Sequence, residues 1–128
     1  MKIKVSEATE IQLDWMVCKA AGMFEAYPKY GAGKKFRALH TGNSAKYIHP
    51  STDWAQGGPI IERERINLNQ CGSSRPGGKM HWFWEASWGY ENEPGHTMVP
   101  GPTPLIAAMR CYVASKLGDE VEVPEELK

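Results

Sequence analysis

Apolar residues recur along the chain with two different periods. Ile11, Trp15, Cys18 and Gly22 fall on one stripe at helical spacing, and Leu13, Met16, Val17 and Ala20 widen it. This predicts an amphipathic helix over about 9–21 that ends at Gly22. Thr9 with Gln12 three residues later has the form of a capping box at its start, and Ser6 is a competing cap. In 104–117 the pattern is broader: Leu105, Ala108, Met109, Tyr112 and Val113 give a broad apolar face of a helix, widened by Ile106 and Leu117. Thr103 suits its N-cap, Pro104 its first turn and Gly118 its end. In 80–88 the period drops to two. Met80, Trp82, Trp84, Ala86 and Trp88 share one face of a strand; His81, Phe83, Glu85 and Ser87 share the other.

Shorter signals complete the reading. Residues 2–5, 45–49, 66–68, 97–99 and 121–123 have strand character, with 97–99 as a hairpin partner for 80–88. Residues 69–79 (NQCGSSRPGGK) are turn chemistry throughout, and 23–44 show no period and read as one long surface loop. In 51–66 (STDWAQGGPIIERERI), Gly57 and Gly58 followed by Pro59 predict a short helix over 59–65. The fold class is α+β in a single domain. A small, mostly antiparallel sheet of about four or five short strands carries two main helices, with the short third helix at one edge and a loose acidic tail at 119–128.

The 128 residues carry 15 basic and 15 acidic side chains, so the formal charge is zero. That balance argues against a sequence-blind nucleic-acid binder, and no nucleic-acid partner is expected. The charge is uneven: Asp119, Glu120, Glu122, Glu125 and Glu126 crowd the end, while Lys29, Lys34, Lys35 and Arg37 form a basic cluster. Three scattered cysteines, Cys18, Cys71 and Cys111, fit a reducing compartment rather than a disulfide framework. No apolar run approaches a membrane span and no signal peptide opens the chain, so a cytoplasmic protein is expected. Gly31–Lys35 fails as a phosphate loop, because Pro28 and Lys35 stand where a Gly and a hydroxyl residue are required. The four histidines form no spaced ligand set, and neither a metal nor a cofactor is expected.

Two segments resemble the phage NinX-like family. WAQGGPIIERERI (54–66) is similar to its W-A-x-x-G-P-I-I-E-x-x-x-I motif, and PLIAAMRCYVAS (104–115) to its P-L-x-A-A-M helix. The resemblance implies a small accessory protein of tailed phages acting in the infected bacterial cytoplasm. It implies no particular activity. Trp54, Gly58, Pro59, Ile60, Ile61, Glu62, Pro104, Ala107, Ala108 and Met109 carry over as family signature only.

Three functional readings follow. In the first, the protein is non-catalytic and binds a small anionic, nucleotide-like ligand. Backbone N–H groups at two Gly/Pro helix starts (Gly57 and Gly58; Gly101 and Thr103) would hold phosphates. Trp54, Trp82 and Trp84 would stack on the base, with Asp53 beside them and Arg63 or Lys35 neutralising charge. Countering host defence by capturing a nucleotide signal is the role suggested by analogy. In the second, exposed aromatics and the acidic segment form an interaction surface that inhibits or adapts a host protein. In the third, the protein is a small nucleotide or sugar hydrolase, with His81, Glu85, Asp53 and Glu62 as the residues to test. The bland alternative for Trp54 is a core plug, and for Met80–Trp88 a face packed under helices. A homodimer would give the tryptophan-rich face the cover that two helices do not.

Overall fold

The computed structural model describes residues 1–22, 25–27, 36–39 and 45–127; for 25–27, 36–39, 45–47 and Glu126 it describes the backbone alone. Among these residues the α+β class holds. Eight short strands form three small antiparallel sheets around three α-helices: β1 (Lys2–Lys4), α1 (Glu10–Ala20), β2 (Glu25–Tyr27), β3 (Phe36–Leu39), β4 (Ala45–Ile48), α2 (Trp54–Glu64), β5 (Asn67–Ser74), β6 (Met80–Trp88), β7 (Thr97–Gly101), α3 (Pro104–Leu117) and β8 (Glu120–Glu122). The sheets are β1–β8, β2–β3–β4 and β5–β6–β7.

Helix α3 is the centre of the molecule. Leu105 through Met109 and Cys111 through Val113 are buried on nearly every side of it, and all but Leu105 join the main cluster with Leu13, Met16, Val17, Ile60, Ile66, Ala86 and Val121. Its start is as the sequence predicts: Thr103 Oγ1 accepts from Ile106 N at 3.1 Å, which satisfies one of the N–H groups left over at a helix start. Gly101 ends β7 against this helix so closely that a Cβ there would lie 2.6 Å from Ala107 N. The sheet can therefore meet α3 at backbone distance only through a glycine.

The capping box of α1 forms as expected, and Gln12 does more. Its Oε1 accepts from Thr9 N at 3.0 Å while its Nε2 donates to Leu127 O at 2.8 Å. That bond, the β1–β8 pairing and the burial of Val121, Val123 and Leu127 tie down the segment 119–127. The expectation of a loose tail is corrected: its alternating valines find a partner strand that cannot be seen locally. The face of α1 at Leu13, Met16 and Val17 enters the main core. The stripe at Ile11, Trp15 and Cys18 packs around Ile48, with Trp15 also touching the main core.

Three more expectations need correction. Strands β2 and β3 fall inside the range read as one long loop, 23–44; the rest of that range, with Lys29, Lys34 and Lys35, lies outside the described residues. Residues 69–74 are not turn but the outer half of β5, paired residue by residue with β6 from Gln70↔Trp84 to Ser74↔Met80. Cross-strand pairing overrides their low strand propensity.

The third correction concerns α2, which starts at Trp54 rather than 59. Asp53 is its N-cap, accepting from Ala55 N at 3.0 Å, and Arg65 closes it in a left-handed conformation. Gly57, Gly58 and Pro59 lie inside the helix. Gly57 is there for close approach: a Cβ would sit 2.5 Å from Pro50 O and 2.6 Å from Leu105 Cδ2. At Gly58 the nearest atom to a Cβ is in Trp54, at 4.0 Å.

These two neighbouring glycines predict opposite outcomes in urea denaturation. Gly57→Ala destabilises by about 1–3 kcal/mol through overpacking, and Gly58→Ala stabilises by about 0.5–1 kcal/mol by helix propensity. Equal effects of the two would contradict the placement of α2.

Candidate functional site

The helix starts of α2 and α3 do come together. The turn before α2 is pinned to α1, because Ser51 N donates to the buried Asp14 carboxylate at 2.8 Å. The same turn is closed by Asp53 N to His49 O at 3.0 Å, and His49 N donates to Gln56 Oε1 at 2.8 Å. The result is a shallow cleft of about 270 Å³ between the two helix starts, lined among others by Glu10, Ser51, Trp54 and Thr103. Trp54 stands 55% exposed at its edge, so it is not a core plug.

The electrostatics of this cleft oppose an anion. Its helix dipoles are partly answered already: Asp53 and Thr103 side chains accept from the first turns, and Gly57 N is bonded to Asp53 O at 2.8 Å. Gly57 and Gly58 therefore offer no free helix start, which corrects their assignment as phosphate ligands. Glu10 lines the cleft and Asp53 stands in sequence between its lining residues Thr52 and Trp54, while among the described residues no Lys or Arg lines it. Beneath lies Asp14, only 5% exposed. Burial pushes its carboxyl up to about 7, with Glu10 adding to the rise and Ser51 partly offsetting it. The Ser51 hydroxyl itself makes no hydrogen bond of good geometry.

A second cleft, of about 330 Å³, opens where β6 runs on past the end of β7. It is lined by His81, Trp82, Phe83, Arg110 and the end of β7 with the residue after it, Pro100, Gly101 and Pro102. Arg110 is the one charged residue between Pro104 and Ser115. Its Nη1 donates to Pro100 O at 3.0 Å, which fixes the guanidinium at the end of β7. Its Nε is buried without a hydrogen-bond partner. Burial lowers the guanidinium pKa, yet an arginine stays charged at neutral pH. Trp82 is 58% exposed beside it, and the His81 and Phe83 rings stack on the opposite face of the strand, 6.0 Å between centroids.

The expected site residues are thus divided. Trp54 and Thr103 share the first cleft and Trp82 and Gly101 the second. Asp53 acts as a helix cap. Arg63 lies nine residues along α2 from Trp54, about 14 Å by helical rise, with its guanidinium 6.0 Å from the Tyr112 ring. Trp84 is half-buried against the main core. Arg110, which the sequence reading did not single out, is the cation that lines the second cleft; its signal was a lone charge in the apolar run between Pro104 and Ser115. The residues weighed for hydrolysis stand apart: His81 stacks on Phe83, Asp53 caps α2 with His49 Nδ1 3.9 Å away, and Glu62 is exposed on α2. Among the described residues no cluster of His, Cys, Asp and Glu is arranged to hold a metal ion, and no helix is long and apolar enough to cross a membrane. The Cys18 and Cys111 thiols are buried and pushed upward, Cys111 to about 12, which leaves them unreactive.

Fold and clefts together define a small α+β protein with a tryptophan- and arginine-lined cleft at one end of its largest described sheet. Residues 4–116 match the family described as Bacteriophage P22, NinX, and the chain belongs to that family, which makes it a phage accessory protein. No curated protein matches it.

Asp14 gives a pH prediction. The unfolded carboxyl releases its proton near 3.8, the folded one near 7. The native state therefore binds the extra proton between these values, and stability falls as pH rises from about 4 to 7. Asp14→Asn keeps an acceptor for Ser51 N and removes that slope. Thermal melts should show the variant gaining stability over wild type by about 1–3 kcal/mol at pH 8 and little at pH 4. A gain that does not grow with pH would contradict the buried, proton-holding carboxyl.

Proposed function

We propose that this phage accessory protein is a non-catalytic binder of a small planar anion of the nucleotide class, and that the cleft between Trp82 and Arg110 is its site. The observation that carries the reading is Arg110: a cation held by Pro100 O, with a buried Nε lacking an acceptor, beside an exposed indole. A guanidinium supplies directed donors for a phosphate or carboxylate, and the Trp82 ring supplies a stacking surface for a base. A cleft of about 330 Å³ has room for a ligand of that size. The acid-lined cleft at Trp54 and Thr103 is the weaker candidate for an anion, on the charge argument above. Sequestering a nucleotide signal of the infected host is the biological role that this chemistry would serve.

The reading as a host-protein interaction module draws on a different observation. Trp54, Met80, Trp82, Tyr90 and Met98 are all large, apolar and exposed. A partner retained from host lysate, with no response to nucleotides, would favour that reading.

Differential scanning fluorimetry and calorimetric titration with a nucleoside monophosphate, the parent nucleoside and inorganic phosphate separate the contributions. The nucleotide should raise Tm and bind more tightly than either fragment. Trp82→Ala and Arg110→Gln should each weaken binding by about tenfold or more, about 1.4 kcal/mol, whereas Trp54→Ala should leave both fold and binding unchanged. Loss of binding in Trp54→Ala, with Trp82→Ala unaffected, would move the site to the helix-start cleft.

A further inference from the structure

The β5–β6 hairpin extends well beyond the three-stranded sheet. Strand β7 covers β6 only from Trp84 to Trp88, while β5 pairs with β6 all the way to Ser74↔Met80. Met80–Phe83 and their partners Cys71–Ser74 therefore form a two-stranded arm, and every residue from Gly72 to Trp82 is exposed. The arm is closed by a tight turn, with Arg75 N donating to Lys79 O at 2.8 Å and Gly77 and Gly78 at positive φ.

Its surface has one chemistry. From Ile66 to Trp84 the chain contains Arg75, Lys79 and His81 and not one carboxylate. The side chains of Met80 and Trp82 lie over Gly72, where a Cβ would be 2.8 Å from each. The glycine lets the indole lie flat across the arm as a platform. Glu85, the nearest acid in sequence, is on the other face of β6, with His81 and Phe83. Arg75 and Lys79 stand at the tip, about 10 Å along the strand from Trp82, and Arg110 stands at the base.

The neutral total charge conceals this arrangement, because the compensating acids lie at the far end of α3. Gly101 and Ala107 bring the start of α3 to the Trp84 end of the sheet. Lys116 Nζ lies 5.4 Å from the Trp88 ring at the other end, and Asp119, Glu120 and Glu122 follow there.

We infer that the arm binds single-stranded nucleic acid, a few nucleotides long, with one base on Trp82 and the backbone running from Arg110 towards Arg75 and Lys79. Stacking on an exposed indole between cations is the general means of holding a single strand without reading its sequence. The inference rests on the Arg110–Trp82 cleft as the phosphate and base site, and extends its ligand from a mononucleotide to an oligomer. The zero net charge gave no reason to expect this partner; the segregation of charge along α3 gives one.

The test uses the whole protein at low salt. Thymidine 5′-monophosphate is titrated by calorimetry, and fluorescein-labelled oligothymidylate of about six nucleotides by anisotropy. The oligomer should bind at least about tenfold more tightly than the monomer. Arg75→Ala combined with Lys79→Ala should remove that gain, leave the monomer's affinity unchanged and flatten the salt dependence by about 0.7 in log–log slope per cation removed. Trp82→Ala should abolish both. Equal affinity for monomer and oligomer, or an oligomer affinity indifferent to Arg75 and Lys79, would overturn the inference and leave the small-ligand reading standing. No binding of either would overturn both. Self-association lost in Trp82→Ala, without oligomer binding, would assign the arm to a second copy of the chain and also overturn it.

Discussion

The rest of the structure depends on how closely the β5–β6–β7 sheet meets α3. Gly101 approaches Ala107 at backbone distance, and Ala107, Ala108 and Met109 are fully buried along that contact. Small side chains here let the helix lie low enough for Ala86 to be buried as well. From that seat α3 presents its other sides to α1 and α2, so one helix supplies buried surface to nearly every other element. Burial on this scale is what a domain of this size needs to offset the conformational entropy of its chain. The seating also fixes Arg110, whose guanidinium can reach Pro100 O only because β7 and α3 are so close.

The same packing gives the molecule two unlike ends. Beyond the start of α3 the sheet thins to a two-stranded arm with an exposed indole and cations. Beyond its end the chain turns through Gly118 into acidic β8, which pairs with β1. The acid-lined cleft at the start of α2 illustrates the opposite case: two helix starts converge there, yet Glu10 lines the cleft, Asp53 adjoins it and the buried Asp14 lies beneath. Convergence of helix starts is insufficient to specify an anion when carboxylates share the cleft.

The elements that were legible in the sequence are those whose signals are local and agree with one another. Thr9 and Gln12 cap α1, Thr103, Pro104 and Gly118 bound α3, and the alternation in 80–88 gives β6 with its faces correctly assigned. Gly57-Gly58-Pro59 misled because the same residues serve a helix start or a close helix crossing, and only the position of Pro50 and Leu105 decides between them. NQCGSS reads as turn because its strand character comes from its partner. Part of the cleft proposed as the site was visible, in Trp82 and Gly101. Arg110 was not, since a single arginine in the apolar run from Pro104 to Ser115 acquires meaning only when a cleft is seen beside it.

The central claim is that ligands bind at the Trp82–Arg110 end and not between the helix starts. Nitrogen-15 NMR of the side chains reads this directly, because each of the five tryptophans has its own indole N–H resonance and Arg110 its own Nε–H. On titration with a nucleoside monophosphate, the Trp82 indole and the Arg110 Nε–H should shift together while the Trp54 indole stays still. Movement of Trp54 with Trp82 and Arg110 unchanged would contradict the account and place the site at the starts of α2 and α3.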